Sequence, residues 1–187
     1  MEKIKQLWRD FEEKNPKASQ WVREGGLFFL VSNLITIIRG LLISALQTAL
    51  VGLGTAAIGF PNINVRLFGI EFPWYIIGAS EEQGGVSYFV AFLISLWVCE
   101  IINFFIQRKF VFRSNGRVGL QFVLYFLAFA IVTCLVNSLN SVWVGFAIHF
   151  AIPALIYNLV TTFLTGGVAM VVFFFANRFI FKESEKK

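Results

Sequence analysis

Four stretches of this chain are too long and too apolar to be core helices of a water-soluble domain. Residues 27–53, 86–106, 118–136 and 153–176 each come close to or exceed the ~20 apolar residues that a helix needs to cross a bilayer. The first holds one charge, Arg39, the second holds Glu100, and the other two hold none. Composition agrees: 57% of residues are hydrophobic and 14% charged, where soluble domains run near about 25% charged. Twenty-three Phe residues are more than one soluble core of this length would bury. This excludes a disordered chain, a nucleic-acid-binding domain and an ordinary cytosolic enzyme. What remains is an all-α integral membrane protein with four transmembrane helices.

The placement of charge predicts the orientation. Residues 1–25 carry Lys3, Lys5, Arg9, Lys14, Lys17 and Arg23. The link after the second span carries Arg108, Lys109, Arg113 and Arg117, and the end of the chain carries Arg178, Lys182, Lys186 and Lys187. Those are 14 of the 16 basic residues, and all fall on one side if each apolar stretch crosses once. The other side has Arg66 with Glu71, Glu81 and Glu82. Basic loops stay in the cytosol, so both termini and the 107–117 link are expected there, in a multi-pass protein of the cell membrane. The first 25 residues are charged and the first apolar run is too long for a signal peptide's core, so no cleavable signal is expected.

Three regions lie outside the spans. In residues 1–24, Ile4, Leu7, Trp8 and Phe11 recur at helical spacing and stop near Asn15-Pro16. This predicts an amphipathic helix, lying either on the inner membrane surface or against its own bundle. The outer loop, about residues 60–85, carries Phe72, Pro73, Trp74 and Tyr75, aromatics that suit the headgroup layer. Residues 142–152 are apolar but too few to span. They read as a re-entrant piece leading into the fourth helix or as that helix's extension past a kink. The expected organisation is a cytosolic segment 1–24, a membrane domain 25–182 and a tail 183–187.

Candidate chemistry is sparse. Cys99 and Cys134 both sit in apolar stretches and read as packing residues. His149 stands alone, with no cluster of metal ligands. No nucleophile-and-base grouping or phosphate loop is visible, so neither catalysis nor a cofactor is expected. Gly40, Ser44, Thr48, Gly52 and Ala56 put a small residue at every fourth position of the first span. Such a stripe lets another helix approach closely, inside the bundle or across a dimer. Gly166, Gly167 and Ala169 would do the same for the fourth helix. Asn33, Gln47, Gln121, Asn137, Asn140 and Asn158 either line a path or bond between helices.

The two intramembrane charges converge in depth. Arg39 lies about 18 Å from the cytosolic end of its helix and Glu100 about 12 Å, at about 1.5 Å per residue. Helical side chains lean towards their own N-terminus, so Arg39 leans inward, Glu100 leans outward, and an ion pair is within reach. A charge at the bilayer centre costs at least about 2.5–3.5 kcal/mol on insertion scales, and pairing lowers it. With Asn103, the pair would line a polar notch for a phosphate or a sugar hydroxyl, or would only fix the packing of two helices.

A weak internal repeat completes the reading. The second helix ends in Asn103-Phe-Phe-Ile-Gln107-Arg108-Lys109-Phe110-Val111-Phe112-Arg113 and the fourth in Asn177-Arg178-Phe179-Ile180-Phe181-Lys182. Each has an amide, one or two bases, aromatic–aliphatic–aromatic, then a base, so the chain reads as two tandem helical hairpins. Amide and cationic groups at a helix exit could hold lipid phosphates, or simply anchor the helix. At these residues the sequence resembles the GtrA-like family of small four-helix membrane proteins, which carries an Asn-Phe-x-x-(Asn/Gln)-Arg-(Lys/Arg)-aromatic-x-Phe motif after its second helix and a shorter echo after its fourth. The long outer loop, the charged N-terminal segment and Arg39 depart from that family's compact form.

The resemblance implies translocation of a polyprenyl-phosphate-linked sugar for cell-surface polysaccharide or teichoic acid glycosylation. A non-transporting partner of a membrane polyprenyl-phosphate glycosyltransferase is the alternative, and a small drug or ion exporter that uses Glu100 is a third. The expected substrate contacts are Arg39, Glu100, Asn103, Gln107, Arg108, Lys109, Arg113, Asn177 and Arg178. Four helices barely enclose a headgroup, so a homo-oligomer, most simply a dimer, is expected.

Overall fold

The computed structural model describes residues 2–61, 63–79, 81 and 84–181. Glu82, Lys182 and the expected tail 183–187 lie outside the described residues. Among the described residues, four helices are long and apolar enough to cross a membrane: Pro16–Ala49, Gly85–Val111, Val118–His149 and Leu155–Ile180. Their outward surfaces are covered with Leu, Ile, Val and Phe, among them Leu41, Val123, Leu155 and Leu159. Such a coat is stable in lipid and would aggregate in water.

Helix α1 (Glu2–Lys14) and helix α2 (Pro16–Ala49) are separated by Asn15 alone. Pro16 fits the first turn of α2, where a missing N–H is no loss, and the Ser19 hydroxyl caps back onto the Pro16 carbonyl at 2.9 Å. The first spanning helix thus begins at Pro16 rather than at residue 27 and absorbs residues 16–24 of the expected N-terminal segment. Of the α1 stripe, Leu7, Trp8 and Phe11 are exposed rather than packed on the bundle.

The outer loop is not irregular, and the chain is therefore not wholly α. Among the described residues it holds four short strands, β1 (Ile58–Phe60), β2 (Ile63–Leu67), β3 (Ile70–Trp74) and β4 (Ile77–Ala79). β2 pairs antiparallel with β3 at the tip and β1 with β4 at the base. The pair Phe60–Ile77 is followed by Ile63–Trp74, three residues on along each strand, so the register survives the break at Pro61. Phe68 and Gly69 both have positive φ at the tip, as a type I′ hairpin turn requires. The ribbon is fastened to the helices beneath it. Ser87 donates its hydroxyl to the Gly54 carbonyl at 2.8 Å, and the Tyr75 N–H bonds Ser141 Oγ at 3.2 Å. Phe72 is buried rather than placed among headgroups. It packs on Gly145, where a Cβ would lie 2.3 Å from its ring.

That anchorage explains a second departure from the sequence reading. Helix α4 runs unbroken from Val118 to His149. Residues 142–149 are neither re-entrant nor part of the fourth helix; they extend the third, and this extension carries the ribbon. Helix α3 (Gly85–Ile106) continues into a π-turn, Gln107–Val111. The fourth span is α5 (Ala154–Thr162), a π-segment Phe163–Val168 and α6 (Ala169–Ile180), with Pro153 as N-cap instead of first helical residue.

Helix α2 packs chiefly on α3, and α4 on α6, so the two tandem hairpins are the packing units. They meet at the basic end around one aromatic core: Phe28 of α2, Phe104, Val111 and Phe112 of the α3 end, Tyr125 of α4, and Phe181 after α6. The small-residue stripe of α2 takes no part in this. Gly40 and Gly52 face open space, as does Gly166. Among the described residues, Gly40, Ser44 and Thr48 are exposed and make no close helix approach, whereas the Ala56 carbonyl accepts the Val86 N–H at 3.1 Å.

Candidate functional site

The echo between the two motifs is a physical contact. The first motif is one residue longer, because Lys109 has no counterpart. The π-turn at Gln107–Val111 takes up that residue, since a π-turn is a one-residue insertion in an α-helix. As a result the Phe112 N–H bonds the Gln107 carbonyl at 2.9 Å, and the Phe181 N–H bonds the Asn177 carbonyl at 2.8 Å. Phe112 and Phe181 then stack, with ring centroids 5.5 Å apart, and Asn177 Nδ2 donates to Gln107 Oε1 at 2.7 Å. Phe110 and Phe179, the outer aromatics of each motif, both stay exposed.

From Asn177 a chain of hydrogen bonds climbs into the bundle. Gln107 Nε2 donates to Asn103 Oδ1 at 2.9 Å, Asn103 Nδ2 donates to Tyr125 Oη at 3.0 Å, and Tyr125 Oη donates to Glu100 Oε2 at 2.7 Å. Asn103 Nδ2 also approaches Glu100 Oε2 at 3.4 Å. Arg39 of α2 closes the chain with an ion pair to Glu100 Oε1. The spacing 100, 103, 107 puts the three α3 side chains on one helix face, and the depth argument for Arg39 and Glu100 ends in a formed pair.

Glu100 fixes the polarity of the whole chain. An ionised carboxylate only accepts, so every donor points towards it, and each amide turns its NH₂ that way. Bonds aligned in this manner polarise and strengthen one another. The far end must then present an acceptor. Asn177 Oδ1 is buried without a partner among the described residues, and so is Arg39 Nε.

Beside this chain lies a cavity of about 660 Å³ between the two hairpins, lined from all four spanning helices. Arg39, Glu100, Asn103, Gln107, Tyr125 and Asn177 form its polar side. Asn33 and Thr36 of α2, and Thr162, Thr165 and Gly166 of the fourth span, line it and are also exposed. The cavity therefore opens sideways between those two helices. At the basic end Phe28, Phe104, Phe112 and Phe181 are buried against each other and close it. Gly166 and the π-segment border the cavity instead of joining helices.

The remaining candidates lie apart. Arg108 bonds Gln121 Oε1 through Nε and the Gly116 carbonyl through Nη2, both at 2.9 Å. Gln121 in turn reaches Ser114 Oγ at 2.6 Å and the Ile180 carbonyl at 3.3 Å. Gln121 thus binds helix ends together rather than lining a path. Arg178 forms an ion pair with Glu24 and lies 3.7 Å from the centre of the Trp21 ring, so its charge has a partner already. Lys109 and Arg113 are exposed at the basic end. Sequence reasoning did not single out Glu24, Trp21, Ser114 or Tyr125. Comparison with protein-family models, curated proteins and solved structures gives no match.

Proposed function

We propose that the chain is a translocase that moves a polyprenyl-phosphate-linked sugar across the cell membrane, as its resemblance to the GtrA-like family implies. Both termini, the 107–117 link and the basic end face the cytosol in this reading. The observation that carries it is the cavity itself: a chamber among the four spanning helices with one polar side, an otherwise largely apolar lining and a lateral opening between the first and fourth spans. A polar headgroup pays several kcal/mol for each hydrogen bond lost in hydrocarbon. Side chains along the cavity replace water's bonds while the prenyl tail stays among acyl chains. Lys109 and Arg113, two of the exposed cations at the basic end, gather the phosphate at the inner leaflet.

Passage to the cytosolic end requires the aromatic core to part. Side-chain links between the hairpins resist that, among them Gln107–Asn177, Glu100–Tyr125, Asn103–Tyr125 and Glu24–Arg178. Breaking and remaking them is the conformational step of transfer. The exporter reading fits less well, because Arg39, Tyr125 and Asn103 already occupy Glu100. The partner-subunit reading has one observation in its favour: the exposed Leu7, Trp8 and Phe11 of α1 would suit a glycosyltransferase as well as a lipid surface. A dimer pairing through the outward-facing Gly40, Ser44 and Thr48 would enlarge the enclosed volume.

The test is reconstitution into vesicles containing a polyprenyl-phosphate hexose, with membrane-impermeant periodate to oxidise outward-facing sugar. The translocase exposes the inner pool at least about ten-fold faster than lipid alone. A rate equal to protein-free vesicles, rising only when a glycosyltransferase is added, refutes transport and favours the partner reading.

A further inference from the structure

We infer that the headgroup received by this cavity is uncharged and hydroxylated, and that charged sugars are turned away. The inference rests on reading the cavity as a headgroup site and adds the class of sugar it takes.

Charge balance is the first argument. Among the described residues that line the cavity, Arg39 and Glu100 are the charged ones, and they are paired with each other. A carboxylate or ammonium entering beside them finds no counter-ion, and one of the pair repels it. Removing such a group from water without a partner is what makes buried charge unfavourable.

Hydrogen-bond polarity is the second. The directional chain ends in two unmet, opposite needs: Asn177 Oδ1 wants a donor and Arg39 Nε wants an acceptor. Asn177 is only 1% exposed, so bulk water does not serve it. The wall hydroxyls add to this. Thr36 and Thr165 both line the cavity, and their protons are committed to their own helices, to the Ser32 and Thr161 carbonyls at 2.9 and 2.8 Å. What they offer a guest is an acceptor. A sugar hydroxyl both donates and accepts, so it can satisfy Asn177, the threonines and Arg39 in turn. A phosphate or carboxylate oxygen only accepts, leaves Asn177 Oδ1 unmet and faces Glu100. The phosphate of a lipid-linked sugar therefore stays at the opening, and the sugar goes in.

Native mass spectrometry of the detergent-solubilised full chain tests this. The probes are short polyprenyl phosphates bearing glucose, glucuronic acid or glucosamine, with bare polyprenyl phosphate as reference. The glucose lipid should bind at least about ten-fold more tightly than either charged sugar. Asn177→Leu should weaken glucose-lipid binding about ten-fold, the loss of a buried hydrogen bond, and leave bare polyprenyl phosphate unchanged. Should Asn177→Leu not fold, the comparison of sugars on the wild-type chain decides alone. Equal binding of charged and neutral sugars, or no binding of any probe, overturns the inference. Neutral-sugar selectivity without movement in vesicles upholds it while refuting transport. Movement of charged and neutral sugars at equal rates upholds transport and refutes selectivity.

Discussion

Replacing Glu100 by leucine strands Arg39 in the middle of the bundle. Arg39 is ion-paired to Glu100, its Nε has no other partner, and its side chain is 24% exposed. The substitution also takes the acceptor from Tyr125 Oη, 2.7 Å away. Removing one member of a buried pair costs about 3–5 kcal/mol, most of it from the orphaned charge. Exposure of Arg39 to the cavity lowers the expectation to about 3 kcal/mol, a factor of more than about 100 in the unfolding equilibrium. The double variant Arg39→Leu with Glu100→Leu removes both charges and should regain most of that loss, because a buried pair replaced by apolar groups is often neutral. Denaturant-induced unfolding of the three variants in detergent micelles gives the coupling energy directly. The double variant then separates packing from function, since it is folded but lacks the polar notch. Its headgroup transfer in vesicles should fall to the protein-free rate. Full transfer by the stable double variant would show that the pair only holds two helices together. A double variant as unstable as Glu100→Leu would refute the orphaned-charge argument itself.

Three further predictions follow from separate parts of the molecule. Tyr125→Phe keeps the ring in the aromatic core and deletes the hydroxyl between Asn103 and Glu100; it should cost about 1–3 kcal/mol by the same unfolding assay, and an unchanged midpoint would deny that the chain of bonds is formed. Gly145→Val drives a side chain into the Phe72 ring and should release the ribbon, read as faster protease cleavage within residues 58–79 with the spanning helices still intact; unaltered cleavage would contradict the anchorage. Arg178→Gln leaves Glu24, whose side chain is 4% exposed, without its ion-pair partner; a loss of about 3 kcal/mol is expected, and the further change Glu24→Gln should restore much of it, as a thermal-unfolding series would report.

Much of this fold was legible in the sequence because lipid makes harsh demands. Length and apolarity mark the four spans, and depth along two antiparallel helices predicts that Arg39 and Glu100 meet. The tandem hairpins followed from the echo of 103–113 in 177–182, although the one-residue mismatch at Lys109 gave no hint that a π-turn would absorb it. Other parts left no local signal. The strands of the ribbon are three to five residues long and interrupted by Gly and Pro, so period-two alternation is too short to read. The extension of α4 past Asn137 and Asn140 is stabilised by Phe72 and Tyr75 docking from afar, a tertiary effect. Tyr125 looks like any aromatic in an apolar run, because its partner Glu100 is on another helix. Glu24 stands next to Arg23 in a charged segment and is distinguished only by the distant Arg178. Depth and periodicity are local properties, whereas partner choice between hairpins is not.

Filling the cavity tests the central claim most directly. In a Cys134→Ser background, with Cys99 left buried, Thr165→Cys places a thiol on the cavity wall at the lateral opening. Leu127→Cys places one on the exposed outer surface of α4. Each variant is labelled with a bulky maleimide, and polyprenyl-phosphate hexose transfer is then measured in vesicles. The account predicts a fall of at least about ten-fold for labelled Thr165→Cys and no change for labelled Leu127→Cys. Equal transfer by both labelled variants would mean that the headgroup does not travel through the space between the hairpins.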